Sequence, residues 1–238
     1  MPLLTDPRYI TLPTVAPGGR PRQIRALVFD FDGTLAGLEI DFDLMRREIV
    51  GLCSEFAVGN GLSNRYVLEM LAEAERILSA RNPETSRLFT ARAYAMIEAI
   101  ELEAARRGSL FPETRSVLTG FKEAGLAMAV ITRNFGRAVR TVFPDLDDFF
   151  PVFLPREAVS RVKPDPEHLL AALRALDVPP DSTLMVGDHP LDIETGRRAG
   201  TMTAGVASGR IGRRELAAAG ADAAFDRLAD LAGFLLGG

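Results

Sequence analysis

The chain reads as an α/β protein, a doubly wound parallel sheet covered by helices on both faces, with an all-helical segment inserted near its start. Three observations predict this. From Gly108 onward, short β-favouring apolar runs alternate with amphipathic stretches, the pattern of parallel strands joined by right-handed helical crossovers. Residues 41–107, by contrast, carry only helical periodicity. The first apolar run, Ala26 to Phe29, stops abruptly at Asp30-Phe31-Asp32-Gly33, as expected of a buried strand that delivers polar side chains to the edge of a sheet.

Taken in order, residues 1–24 hold Pro2, Pro7, Pro13, Pro17 and Pro21 with Gly18-Gly19, which suits neither a helix nor a central strand, so a surface-bound or mobile extension is expected. After the first strand, Gly33 to Ile40 is short and glycine-punctuated. Phe42, Met45, Ile49, Leu52 and Phe56 then recur at spacings of three and four behind Asp41, a good N-cap. Gly59-Asn60-Gly61 breaks this helix; Val67, Met70, Ala74 and Ile77 begin a second. Asn82-Pro83 breaks that, and Phe89, Ala93, Met96, Ile100 and Ala104 mark a third.

In the alternating half, helices are expected at Pro112 to Glu123, Asn134 to Val142, Pro166 to Leu176, Leu191 to Ala199, Ile211 to Ala219 and Leu228 to Leu236. Strands are expected at Leu126 to Ile131, Phe149 to Leu154, Thr183 to Gly187, Met202 to Val206 and Asp222 to Phe225. The domain division that follows is an extension at 1–24, a core of 25–37 with 108–238, and a helical cap at 38–107.

Composition narrows the function classes. With 238 residues, 47% of them hydrophobic and 25% charged, the chain has the material for a sizeable core. A net charge of -4 argues against a general nucleic-acid binder, and the basic clusters Arg20 to Arg25 and Arg210 to Arg214 are expected on solvated surface. Cys53 stands alone and cannot form an internal disulfide; its apolar helical neighbours make it a core residue in a reducing compartment. No apolar run approaches the ~18 residues of a membrane span, and the N-terminus has neither a basic start nor an apolar signal segment. A soluble cytoplasmic protein, monomer or homodimer, with neither nucleic acid nor membrane as partner, is the expectation.

Four stretches carry chemistry. Asp30 and Asp32 lie two apart at a strand end, on one side of an extended chain, where their charges repel unless a cation or a shared proton relieves them; an ordinary Asp-Gly turn is the other reading. Thr132-Arg133-Asn134 follows a strand and starts a helix, offering a hydroxyl and backbone N–H groups to an anion, or serving simply as a cap. Lys163-Pro164 places a lysine in an extended segment just before a helix. Gly187-Asp188 ends another strand, with Asp192 in the first turn of the helix beyond, where it would also complement the helix dipole. Two histidines sit nearby in sequence. His189, beside Asp188, is a loop residue or a substrate-side contact; His168, among Leu169 and Leu170, is structural or exposed.

Together, and in this order, Asp30-Phe-Asp32-Gly-Thr-Leu, Thr132, Lys163-Pro and Gly187-Asp188 with Asp192 resemble the four motifs of the haloacid dehalogenase superfamily. The pattern runs from Val28 to Val206, and the helical insert resembles that family's α-helical cap on a Rossmann-like core. The chain is most similar to the phosphoglycolate-phosphatase-like members, with β-phosphoglucomutases as cousins. Asp32 separates it from the dehalogenases, which lack that second acid because they protonate no alkoxide.

The resemblance implies roles. Asp30 would be the nucleophile that forms an aspartyl-phosphate, and Asp32 the general acid and base. Mg²⁺ would be held by the carboxylates of Asp30 and Asp188 and the carbonyl of Asp32, with Asp192 acting through water or by orienting the others. Thr132, the backbone N–H groups after it and Lys163 would hold the phosphoryl oxygens. Relatives often have asparagine after the motif threonine; here Arg133 and then Asn134 follow, as a substrate contact or, for Arg133, on the solvent side. The cap and the Ala36 to Ile40 hinge would choose the substrate by closing over the site. Arg46, Arg47, Arg65 and Arg92 are expected on solvated helix faces instead. The implied activity is a Mg²⁺-dependent phosphatase acting on a small phosphorylated metabolite such as 2-phosphoglycolate. A phosphosugar mutase is the alternative, and a non-catalytic binding module is disfavoured by the intact acid and lysine set.

Overall fold

The computed structural model describes residues 10–12, 22–59, 62 and 66–237. The remaining proline-rich positions of the N-terminal extension, the Asn60-Gly61 break and Arg65 lie outside the described residues. The chain forms two compact units, Met1–Leu38 with Gly108–Gly238, and Glu39–Arg107. Among the described residues no helix is long and apolar enough to cross a membrane.

In the first unit, β1 (Ile10–Leu12) pairs antiparallel with β2 (Arg22–Ile24), inside the stretch expected to be an extension. Next come β3 (Ala26–Phe29) and two short strands, β4 (Ala36–Gly37) and β5 (Ser109–Leu110), which pair antiparallel with each other. Then follow β6 (Ala127–Ile131), β7 (Val152–Leu154), β8 (Thr183–Gly187), β9 (Met202–Val206) and β10 (Ala223–Phe225). Six strands make one parallel sheet in the order β10-β9-β8-β3-β6-β7. From β3 the chain steps outward through β6 and β7, returns to the other side of β3 with β8, and steps outward again. The order therefore reverses at β3, and a crevice is expected beyond the carboxyl ends of β3 and β8.

The second unit is a set of three helices, α1 (Phe42–Glu55), α2 (Val67–Arg81) and α3 (Pro83–Arg107). Asp41 caps α1 by accepting the Leu44 N–H at 2.7 Å, as its sequence position suggests. Asn82 ends α2 and starts α3, its Oδ1 accepting from Glu84 and Thr85. The buried stripe is Met45, Ile49, Leu52 and Cys53 of α1, Met70, Leu71, Ala74 and Leu78 of α2, and Phe89, Ala93 and Ile97 of α3. Phe42 leaves the expected stripe: as the first residue of α1 it precedes the turn that packs, and 46% of it is exposed. Arg92 pairs with Glu55 at 2.8 Å and lies over the Phe56 ring, while Arg46 Nη1 donates to Met70 Sδ, so both stems run along apolar surface.

The sheet of the first unit is flanked by α4 (Thr114–Glu123), α5 (Gly136–Val142), α6 (Pro166–Leu176), α7 (Pro190–Ala199), α8 (Arg213–Ala218) and α9 (Leu228–Leu236). Alternation along β3 explains the two-sided core. Val28 meets Ala129, Ile131 and Met185 with Leu169, Ala172 and Leu173 of α6. Phe29, pointing the other way, meets Phe121 of α4 and Phe150. Burial of each such side chain stabilises by roughly 1.5–3 kcal/mol. Four elements begin two or more residues later than expected: α4 at Thr114, α8 at Arg213, β7 and α5. β7 begins at Val152 because the Phe149 N–H closes the 3-10 turn Leu146–Asp148 on the Leu146 carbonyl, and the Phe150 N–H donates to that same oxygen. α5 begins at Gly136, two residues late, because the Asn134 N–H turns back to Thr132 Oγ1 and Phe135 is extended.

Candidate active site

The carboxyl edge of β3 is built by a tight turn. The Asp30 N–H donates to Val186 of β8 at 2.9 Å, carrying the ladder one residue past the strand. Phe31 is fully buried, and its carbonyl accepts from Leu35 and Ala36. Gly33, at φ +80, closes the turn with its N–H on Ala36. This folds Asp32 back over the loop, where its Oδ1 accepts the Leu38 N–H at 3.0 Å. Thr114 Oγ1 anchors the turn from α4 by donating to Leu35 at 2.7 Å.

Asp188 and Asp192 arrive from β8 and α7. Asp188 is 8% exposed, and Thr34 Oγ1 lies 3.4 Å from its Oδ1. A Cβ on Gly33 or on Gly209 would overlap its carboxylate, and Ser208 Oγ ties the two loops together by donating to the Gly33 carbonyl at 2.8 Å. Asp192 is 1% exposed; its Oδ2 accepts the His189 N–H, while His189 Nδ1 accepts from Leu191. His189 is thus the N-cap of α7. The other Asp192 oxygen lies 2.6 Å from Lys163 Nζ, which is also 2.7 Å from Asp30 Oδ1.

One ligand atom each from Asp30, Asp188 and Asp192 falls within 4.8 Å of the others. This crowding shows in their acidities. Burial, with Asp192 adding to it against the pull of Lys163, pushes the Asp30 carboxyl up to about 6. Burial and the Asp30, Asp192 and Asp32 carboxylates push Asp188 up to about 9. For Lys163, burial alone would lower the ammonium, but Asp192 and Asp30 carry it above its ordinary value. Such a set either keeps a proton or takes a cation. Every donor is a carboxylate oxygen, which suits a hard divalent ion and not a thiolate-seeking one.

On the neighbouring strand, register sets Val130 beside Phe29 and so brings Thr132 to the same edge. Thr132 is buried, its N–H on Leu154 at 3.2 Å. Asn134 is 7% exposed, and its Nδ2 has no partner among the described residues. The amide cluster expected at the helix start is only partly open, since Gly136 N–H donates to Glu157 Oε1. Arg133 is half-buried and donates through Nη1 to the Lys163 carbonyl at 2.5 Å. The arrangement gathers Asp30, Asp188, Asp192 and Lys163 at one point and sets Asp32 and Thr132 on the adjoining strand ends. Thr34, Ser208 and Gly209 also reach this edge, with no role assigned to them from the sequence, although Thr34 belongs to the Asp30-to-Leu35 stretch. For Ser208-Gly209, following a strand was the one available signal.

A family model described as haloacid dehalogenase-like hydrolase matches residues 27–206. The N-acetylmuramic acid 6-phosphate phosphatase of Pseudomonas putida is 29% identical over 198 residues, 79% of this chain and 85% of that protein. Pyrophosphatase PpaX of Anoxybacillus flavithermus is 30% identical over 219 residues, 89% of this chain and 97% of that one. Among solved structures, a predicted phosphoglycolate phosphatase from Haemophilus somnus superimposes with a TM-score of 0.62 at 19% identity, covering 89% of this chain and 97% of that one.

Proposed function

The chain belongs to the haloacid dehalogenase-like hydrolases, and we propose that this phosphatase is Mg²⁺-dependent and hydrolyses a small phosphorylated metabolite through an aspartyl-phosphate on Asp30. The observation that carries the reading is the Asp30 carboxylate at a strand end, 2.7 Å from a buried ammonium and within 4.8 Å of two further acids.

Asp30 attacks phosphorus as the bond to the ester oxygen breaks, and Asp32 gives its proton to the leaving alkoxide. Asp32, now ionised, takes a proton from the water that attacks the aspartyl-phosphate; phosphate leaves and Asp30 returns. Splitting one displacement into two lets the same pair of acids serve both halves. Lys163 and Thr132 hold phosphoryl oxygens, and Asn134, whose buried Nδ2 has no partner among the described residues, supplies a further donor. Asp30 and Asp188 with the Asp32 carbonyl would hold Mg²⁺, which when bound offsets carboxylate and phosphate charge. Asp192 keeps Lys163 in place, both its oxygens being engaged already.

Phosphate release from a panel of phosphomonoesters with Mg²⁺ tests this, with 2-phosphoglycolate, sugar phosphates and N-acetylmuramic acid 6-phosphate included. Strong release from one class supports the reading. Isomerised sugar phosphate with little free phosphate would replace it with a mutase, and no turnover of any ester would reject it.

A further inference from the structure

A lysine ammonium sits on a long flexible stem, so where it lands depends on how the backbone beneath it is held. In this chain the Lys163 backbone is gripped at both ends by side chains. Its N–H faces His168 Nδ1 at 3.3 Å, and its carbonyl accepts from Arg133 Nη1 at 2.5 Å. Arg133 is held in turn through its own carbonyl, which accepts from Arg156 Nη1 at 2.8 Å.

His168 is the informative member. A backbone N–H can only donate, so Nδ1 is an acceptor and the ring proton belongs on Nε2, which faces the Leu154 carbonyl at 3.0 Å. That same carbonyl accepts the Thr132 N–H at 3.2 Å. Lys163, through the imidazole, and Thr132, directly, therefore hang from one oxygen at the end of β7. The ring is fully buried, and burial, helped by the Lys163 and Arg133 charges, pushes its pKa down to about 4, which keeps it neutral across the physiological range.

We propose that His168 is a positioning residue, a neutral Nε2–H imidazole that sets the spacing between Lys163 and Thr132 so that ammonium and hydroxyl grip one phosphoryl group. The proposal rests on the phosphatase reading above. Its competitor is a histidine that merely satisfies its own hydrogen bonds inside a core.

The test compares wild type with His168→Leu, which fills the space and loses both bonds, and His168→Asn, whose Oδ1 stands near the Nδ1 position and keeps the bond to Lys163. Orthophosphate affinity with Mg²⁺ by calorimetry, kcat and KM on the best ester, and thermal unfolding are read for each. His168→Leu is expected to lose about 10- to 100-fold in kcat/KM and to weaken orthophosphate binding, as a displaced phosphate grip should. His168→Asn, with half of the tie intact, is expected to fall between the Leu variant and wild type in both. A lowered Tm with wild-type Kd and kcat/KM in the Leu variant would overturn the proposal. If the Leu variant does not fold, His168→Gln replaces it, keeping the Leu154 bond but not the Lys163 bond, and wild-type Kd and kcat/KM in both the Asn and Gln variants would overturn it. The two readings fail separately. Wild type that binds orthophosphate but hydrolyses no ester rejects the phosphatase and leaves the Kd comparison to judge His168; wild type that hydrolyses an ester but binds no orthophosphate keeps the phosphatase and leaves kcat/KM to judge His168.

Discussion

Lys163 Nζ lies 2.6 Å from Asp192 Oδ1, and both side chains are sealed from solvent, at 2% and 1% exposure. Removing one partner of a buried pair leaves an uncompensated charge, which is far costlier than replacing the pair. Lys163→Met strands Asp192 and Asp30 together. The expected result is a loss of ~3–5 kcal/mol in urea unfolding, with turnover down on the order of 10³-fold.

Asp188 gives the protein a pH-dependent stability in the absence of divalent cations. Folded, it holds its proton up to about 9; unfolded, it loses it near 3.8. Between those values the folded state binds more protons, so stability falls as pH rises. From pH 7 to 9 His168 is neutral in both states, with its folded value near 4 and its ordinary value 6.5, and Asp30, at about 6, has largely titrated. The slope there reports Asp188 together with the buried Cys53 thiol, which burial raises from 9.0 and which adds in the same direction toward pH 9; a Cys53→Ala background isolates Asp188. Thermal unfolding in EDTA should show Tm declining from pH 7 to 9, and Mg²⁺ should flatten the decline while releasing protons on binding.

Gly209 leaves room for the Asp188 carboxylate. Gly209→Ala should displace that carboxylate and weaken Mg²⁺ activation by about tenfold or more, seen as a rightward shift in a Mg²⁺ titration of activity. An unshifted titration would mean that Asp188 does not serve the cation.

In the helical unit, Asn82 joins two helices through the Glu84 and Thr85 N–H groups. Asn82→Ala should lower stability by about 1 kcal/mol, measured by denaturant unfolding, with activity on the best ester retained in the folded protein.

Much of the site was legible because strands that end in polar residues announce themselves: Asp30, Thr132 and Asp188 each follow an apolar run at the same edge of one sheet. Alternation and crossover handedness announce a parallel sheet with helices on both faces, but they leave open the strand order, with β8 on the far side of β3 from β6. What stayed hidden was cross-strand. That Gly209 abuts Asp188, or that His168 reaches back to the Lys163 N–H, depends on how loops from different strands approach, and no periodicity encodes it. The late start of α5 was also hidden, because the Thr132 hydroxyl competes locally for the Asn134 N–H. The pairing of β4 with β5 joins distant two-residue segments, Ala36 opposite Leu110 in an antiparallel register, too short to show alternation.

In the proposed mechanism a carboxylate oxygen of Asp30 takes the phosphoryl group. Wild type and Asp30→Asn would each be mixed with the best ester and Mg²⁺, quenched in acid and mapped by mass spectrometry, with steady-state phosphate release followed in parallel. A phosphoryl group on the Asp30 peptide of wild type, and a folded Asp30→Asn protein that neither carries the group nor releases phosphate, is the predicted result. Retained turnover in the Asn variant, or a phosphoryl group on another residue, would contradict it.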